Sequence, residues 1–266
     1  MDIRKRAATL CLAGLLFIMI SACQIENKKP RQEPLTRPNE SFLKYGETNE
    51  TIVELTKINN SVWVHTSYHE ENGALIPTNG LIVLTDKNVV LIDTPWTDQQ
   101  MVSMVKLIHE AFNGEIKSAI VTHTHQHSIG GMGYLNKQKI PVSCLKVVAE
   151  ASKLKGFAVP DQVNEGDSVI LKVDNTEFEL YYPGEGATPD NTVVWIDKYN
   201  VLFGGCLIRQ YGTDSLGDTT ASNISLWPET LEKIMVEYDE MEIIVPSQGQ
   251  WGDKGLIDYT LELFEE

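Results

Sequence analysis

The sequence predicts an α/β domain in which β-sheets pack face to face and helices cover the outside. Three observations carry that expectation. From about residue 50, short β-branched runs alternate with clusters of turn residues. The runs fall into two sets, and each set leads through a helix to a further strand that ends in a loop. One of those loops, after residue 121, is rich in histidine; reactive groups in such folds sit on the loops at strand ends.

The elements follow in order. Strands are expected over residues 51–56, 62–67, 80–85 and 89–93, divided by Asn59-Asn60, Glu71-Asn72-Gly73 and Asp86-Lys87-Asn88. Met104, Val105, Leu107, Ile108 and Phe112 recur at helical spacing, and Asn113-Gly114 closes that helix, expected over 103–112. A strand over 118–121 runs into the histidines, and Cys144 lies in an apolar stretch that reads as a buried strand with a packed thiol. The second strand set covers 169–173, 178–182, 192–196 and 201–203. A helix over 227–236 with Pro228 in its first turn, a strand over 243–245 and a helix over 256–264 complete the chain.

The chain has 266 residues, 42% of them hydrophobic, enough for a sizeable core. A net charge of -15 argues against a nucleic-acid partner, because phosphate binding needs a basic face. Arg4, Lys5 and Arg6 precede an apolar run over 7–20 that is too short for an ordinary membrane span. Ile20-Ser21-Ala22-Cys23 resembles a bacterial lipobox, which implies cleavage before Cys23 and lipid attached to it; an ordinary secretion signal is the alternative. Residues 1–22 are therefore expected to be a signal peptide, 23–47 a lipidated cysteine and flexible tether, and 48–266 the folded domain. The expected location is the bacterial envelope, as a periplasmic, membrane-anchored monomer.

The strongest local signal is Thr122-His123-Thr124-His125-Gln126-His127-Ser128-Ile129-Gly130-Gly131. Three of the six histidines stand here at alternate positions, where side chains after a strand can point the same way. Imidazoles converging on one loop mark a metal site, although a histidine-rich surface loop would look the same in sequence.

This string resembles the signature loop of the metallo-β-lactamases. Val64-His65-Thr66-Ser67-Tyr68, Leu91-Ile92-Asp93-Thr94-Pro95-Trp96, Tyr182-Pro183-Gly184-Glu185-Gly186, Thr188-Pro189-Asp190-Asn191, Leu202-Phe203-Gly204-Gly205-Cys206 and Trp251-Gly252-Asp253-Lys254-Gly255 are similar to other segments of its two-zinc subclass B1. The resemblance implies an αββα sandwich of two mixed sheets, zinc as cofactor with one or two ions, and a small-molecule substrate such as a β-lactam.

It also implies which residues bind metal, and here the chain departs from its family. Two histidines of the first zinc match His123 and His125, but the third position is Ala187. The cysteine of the second zinc matches Cys206; its aspartate position is His127 and its histidine position is Gln248. Alanine offers no donor, and a neutral amide carbonyl is a poor substitute for imidazole. His123, His125, His127 and Cys206 together total four donors, which could hold a single ion if the loop relaxes. Asp93 matches an aspartate that supports a metal-ligand residue. His127 is a candidate base only if it is not bound to metal. Arg209 stands where the family has a lysine for the drug's carboxylate, and Asp218 where many relatives have an asparagine near the substrate carbonyl. Trp63 and Tyr68 flank the expected substrate flap, or serve in packing. Three readings stay open: a weakened β-lactam hydrolase, a catalytically inactive domain that binds a small ligand or one metal ion, and a hydrolase of another substrate.

Overall fold

The computed structural model describes residues 34–265. The expected signal peptide and Cys23 lie outside them. Eight strands form the first sheet in sequence order: β1 (Phe42–Tyr45), β2 (Val53–Lys57), β3 (Val62–Glu71), β4 (Ala74–Leu84), β5 (Val89–Ile92), β6 (Ile116–Ile120), β7 (Val142–Leu145) and β8 (Gln162–Asn164). Pairing is antiparallel from β1 to β5 and parallel from β5 to β8. The second sheet has the order β13-β12-β11-β10-β9, from β9 (Ser168–Val173), β10 (Thr176–Tyr181), β11 (Val193–Ile196), β12 (Val201–Gly205) and β13 (Ile243–Pro246). Only the β12–β13 pair is parallel in it. Parallel pairs need crossover connections. Helices α1 (Asp98–Phe112), α2 (Gln126–Ile129), α3 (Met132–Gln138) and α4 (Lys146–Lys155) supply them in the first sheet, and α5 (Trp227–Glu237) joins β12 to β13. Helix α6 (Gly255–Glu262) follows β13.

Strand alternation sorts the core into three layers. On β4, Ile82 and Leu84 pack with Met101, Met104, Ile108 and Phe112 of α1, while Leu81 and Val83 face Phe178, Leu180, Val194 and Phe203 of the other sheet. On β11, Val194 and Ile196 join that central layer, and Val193 and Trp195 turn outward to Leu231 and Ile234 of α5 and Leu256 of α6. The result is helix, sheet, sheet, helix. Both sheets bury both faces, so their central strands read as nearly continuous apolar runs. Helix α1 is closed by local chemistry at each end. The Thr97 side chain accepts from the Gln100 amide, and Asn113, at φ +50°, donates its amide to the His109 carbonyl.

Two expectations need correction. Packed structure begins before residue 48, within the span expected to be a tether. Leu35 is buried, the Thr36 amide donates to the Phe112 carbonyl, and Phe42–Tyr45 form β1 against β2. Trp63 is not a flap residue. It is fully buried and tilts against Phe112 at 5.3 Å, on the α1 side of the first sheet. Alternation along β3 decides this, since Val62 and Val64 take the face toward the other sheet.

Candidate metal centre

Four strand ends build the centre. Asp93 follows β5, the histidine loop follows β6, Cys206 follows β12 and Ser247 follows β13. The pairs β5–β6 and β12–β13 are both parallel, so each pair delivers its C-terminal ends to one edge. The Ser247 amide donates to the Gly205 carbonyl, which ties the β13 turn to the residue before Cys206.

The donor atoms of His123, His125, His127 and Cys206 all lie within 4.8 Å of one another. Cys206 Sγ is 3.2 Å from His123 Nε2, 3.5 Å from His127 Nε2 and 3.6 Å from His125 Nδ1. His123 Nε2 and His127 Nε2 are 3.2 Å apart. Zinc bonds of about 2.0 Å to nitrogen and 2.3 Å to sulfur, at tetrahedral angles, require edges of roughly 3.3 Å and 3.5 Å. The four spacings from Cys206 and between His123 and His127 are close to those edges, so the loop already brings the four donors together around one point.

A chain of hydrogen bonds fixes the orientation of His123. Asp93 is fully buried with φ +56°, and its carboxylate accepts from the Thr122 amide and the Thr122 hydroxyl, both at 2.8 Å. With its proton committed to Asp93, the Thr122 hydroxyl accepts from His123 Nδ1 at 2.9 Å. That places the hydrogen on Nδ1 and leaves the Nε2 lone pair facing the cluster. His65 holds the other end of the chain. Its Nε2 donates to the Asp93 carbonyl at 3.2 Å, in space that only Gly80 leaves open, since a Cβ there would lie 2.2 Å from that nitrogen. His127 is set differently, edge-on to Trp96 at 5.3 Å, and Trp96 stacks on His69 at 4.6 Å. Gly130 permits this turn, because a Cβ would lie 2.0 Å from the Trp96 carbonyl.

Burial sets the protonation of the metal-free centre. It pushes His65 down to about 4 and His127 to about 3, and holds His123 and His125 below the ordinary imidazole value. Burial raises Cys206 to about 12 and Asp93 to about 7. The imidazoles are thus neutral and available as ligands at neutral pH, and the thiol must release a proton to an incoming ion.

The remaining expected site residues separate into rim and scaffold. Arg209 is half-buried, favours the Cys206 thiolate electrostatically and rests its guanidinium against Gly217. Asp218 is exposed and acts electrostatically on His125. Ala187 is buried, and its carbonyl accepts from the Ser222 hydroxyl; Gln248 is half-exposed. Asp190 carries a role that its motif did not reveal. It is buried, accepts the Thr124 amide at 2.9 Å, and so clamps the histidine loop from the second sheet. Lys155, at the end of α4, donates to the Thr124 carbonyl from the opposite side. A cavity of about 690 Å³ beside His109, Lys117 and Tyr134 shares no lining residue with the cluster, so donor chemistry rather than volume marks this centre.

The pattern of the metallo-beta-lactamase superfamily matches residues 73–247. A metallo-beta-lactamase type 2 from Bacillus cereus is 34% identical over 219 residues, covering 82% of this chain and 85% of that protein. Another from Bacillus sp. (strain 170) is 34% identical over 259 residues, covering 97% and 98%. The structure of a metallo-beta-lactamase from Pontibacter korlensis superposes with a TM-score of 0.77 at 33% identity, covering 80% of this chain and 99% of that one. The DIM-1 metallo-beta-lactamase exposed to ceftazidime gives 0.76 at 32% identity, covering 80% and 96%. In sequence and in fold, the chain belongs to the metallo-β-lactamase superfamily.

Proposed function

We propose that the domain is a zinc-dependent, subclass B1-like hydrolase of the β-lactam amide bond, working well below the rate of relatives with complete ligand sets. The convergence of His123, His125, His127 and Cys206 at the strand ends of this fold carries the reading. A zinc ion bound there supplies Lewis-acid polarisation of the amide carbonyl and activation of water at neutral pH. The chain's own residues do the rest. Arg209 offers a bidentate fork to a substrate carboxylate. Asp93, acting through Thr122, keeps His123 aimed at the centre. Weakness follows from three changes. Ala187 supplies no donor, and Gln248 only an amide. His127 points its Nε2 into the donor cluster, where it would serve as a ligand and not as a free base. Asp218 places a carboxylate at the rim, which repels an anionic drug and cannot donate a hydrogen bond.

A chromogenic cephalosporin tests the reading. Slow turnover is expected, abolished by a chelator and restored by zinc, with Arg209→Ala raising KM by roughly tenfold. No turnover at any zinc concentration would sink it, and binding of the same drug in that case would establish the second reading, a non-catalytic binding domain. Asp218 and the lost donors favour that alternative. We also infer export and lipid anchoring at Cys23, on the strength of the lipobox-like sequence. Palmitate labelling of the expressed chain should vanish in Cys23→Ser, and labelling that persisted would refute the anchor.

A further inference from the structure

We infer that His123, His125, His127 and Cys206 form one closed four-donor site for a single thiophilic ion, and that His125 is its displaceable arm. The inference rests on reading the centre as a metal site, but it does not require hydrolysis.

The donor spacings set the count. Those given for Cys206 and for the His123–His127 pair, 3.2 to 3.6 Å, match the edges of one tetrahedron around a single ion. Two-metal sites hold their ions about 3.5–4 Å apart, and each ion needs a shell of its own. Four donors gathered around one point leave a second ion without ligands, and neither Ala187 nor Gln248 adds an imidazole. The set takes three donors from one loop and one from the other sheet, so the ion sits where both strand-end groups meet.

The four arms are not held alike. His123 is buried to 1% exposure and locked by Thr122 and Asp93. His127 is buried to 7% exposure and braced on the Trp96 edge. Cys206 directly follows β12, where Gly205 accepts the Ser247 amide from the end of β13. His125 is only half-buried, and it presents Nδ1 where its two neighbours present Nε2. Its ring meets the other two histidines and the sulfur. Release of this arm opens a coordination position toward solvent at the least cost in buried structure. A hydrolase built this way is slow because it must first give up a ligand.

Cobalt(II) added to the chelated full chain provides the test. The titration should end at one ion per chain, with intense visible bands of tetrahedral cobalt and a thiolate-to-cobalt band in the near ultraviolet. Cys206→Ser should lose the near-ultraviolet band. His125→Ala should still bind one ion and keep that band, with affinity reduced roughly tenfold to a hundredfold, whereas His123→Ala should lose far more. An end point of two ions, or a thiolate band that survives in Cys206→Ser, overturns the single closed site. Equal losses in His125→Ala and His123→Ala overturn the displaceable arm. If a variant fails to fold, the end point of the unaltered chain still decides the count. One ion without cephalosporin turnover leaves this site standing and removes the hydrolase; turnover with two ions does the reverse.

Discussion

The loop after β6 and the two facing turns that carry Ala187 and Gln248 are all held by hydrogen bonds, yet the first keeps its donors and the other two have lost theirs. In the first, Asp93 accepts from Thr122, the Ser128 hydroxyl donates to the His123 carbonyl, and the Gly131 amide donates to the Thr94 hydroxyl. In the second group, Asn191 accepts from the Thr188 amide and hydroxyl and donates to the Gly184 carbonyl. Asn79 donates to the Pro246 and Gly249 carbonyls around Gln248. The difference teaches that donor chemistry and loop architecture are separable. Ala187 and Gln248 are substitutions within intact turns, not signs of a collapsed cleft.

Restoring the missing donors is the strongest way to break that comparison. Ala187→His with Gln248→His should raise the metal content from one ion to two and increase cephalosporin turnover by roughly 10³-fold, about 4 kcal/mol of barrier. If neither elemental analysis nor the assay changes, the facing turns no longer aim their side chains at the centre. A smaller effect concerns pH. His65 is held neutral, with its pKa near 4 against 6.5 when unfolded, so the unfolded chain binds the extra proton between those values. Its contribution is complete above pH 6.5 and is lost as the pH falls toward 4, a change of about 3 kcal/mol. Asp93, raised to about 7, acts in the opposite direction, stabilising below pH 4 and losing that contribution as the pH rises. The readable quantity is therefore the difference between the metal-free chain and His65→Gln in urea melts across that range, and parallel curves would refute the assignment. The smallest effect sharpens the claim that both sides are held. Asp93→Ala and Asn191→Ala should each lower stability by about 2 kcal/mol, because each strands a buried amide. A negligible loss for Asn191→Ala in thermal melts would show that the facing loop is loosely held.

The sheets were readable because strands buried on both faces show as apolar runs, as β5, β11 and β12 do. The departures have local causes. Pro77 disguises the outer half of β4, where it pairs with Tyr68. Pro34 and Pro38 hide the packed segment before β2. Adjacent glycines at 130 and 131 conceal the break between α2 and α3, and the β-branched pair Val147-Val148 obscures α4. At the centre, alternate histidines announced themselves, whereas Asp190 and Lys155 reach Thr124 from 66 and 31 residues away. No local pattern records such contacts. Trp63 misled because its neighbours in sequence point to the opposite face.

One feature of the centre reaches beyond chemistry. His123 and Cys206 are 83 residues apart and follow strands of different sheets. An ion shared between them would act as a staple across the sandwich, closing a loop whose disorder in the unfolded chain is worth on the order of 4 kcal/mol. Metal supply would then govern how readily the domain opens to proteases, and the lifetime of the protein would follow the zinc around it even where its turnover is negligible.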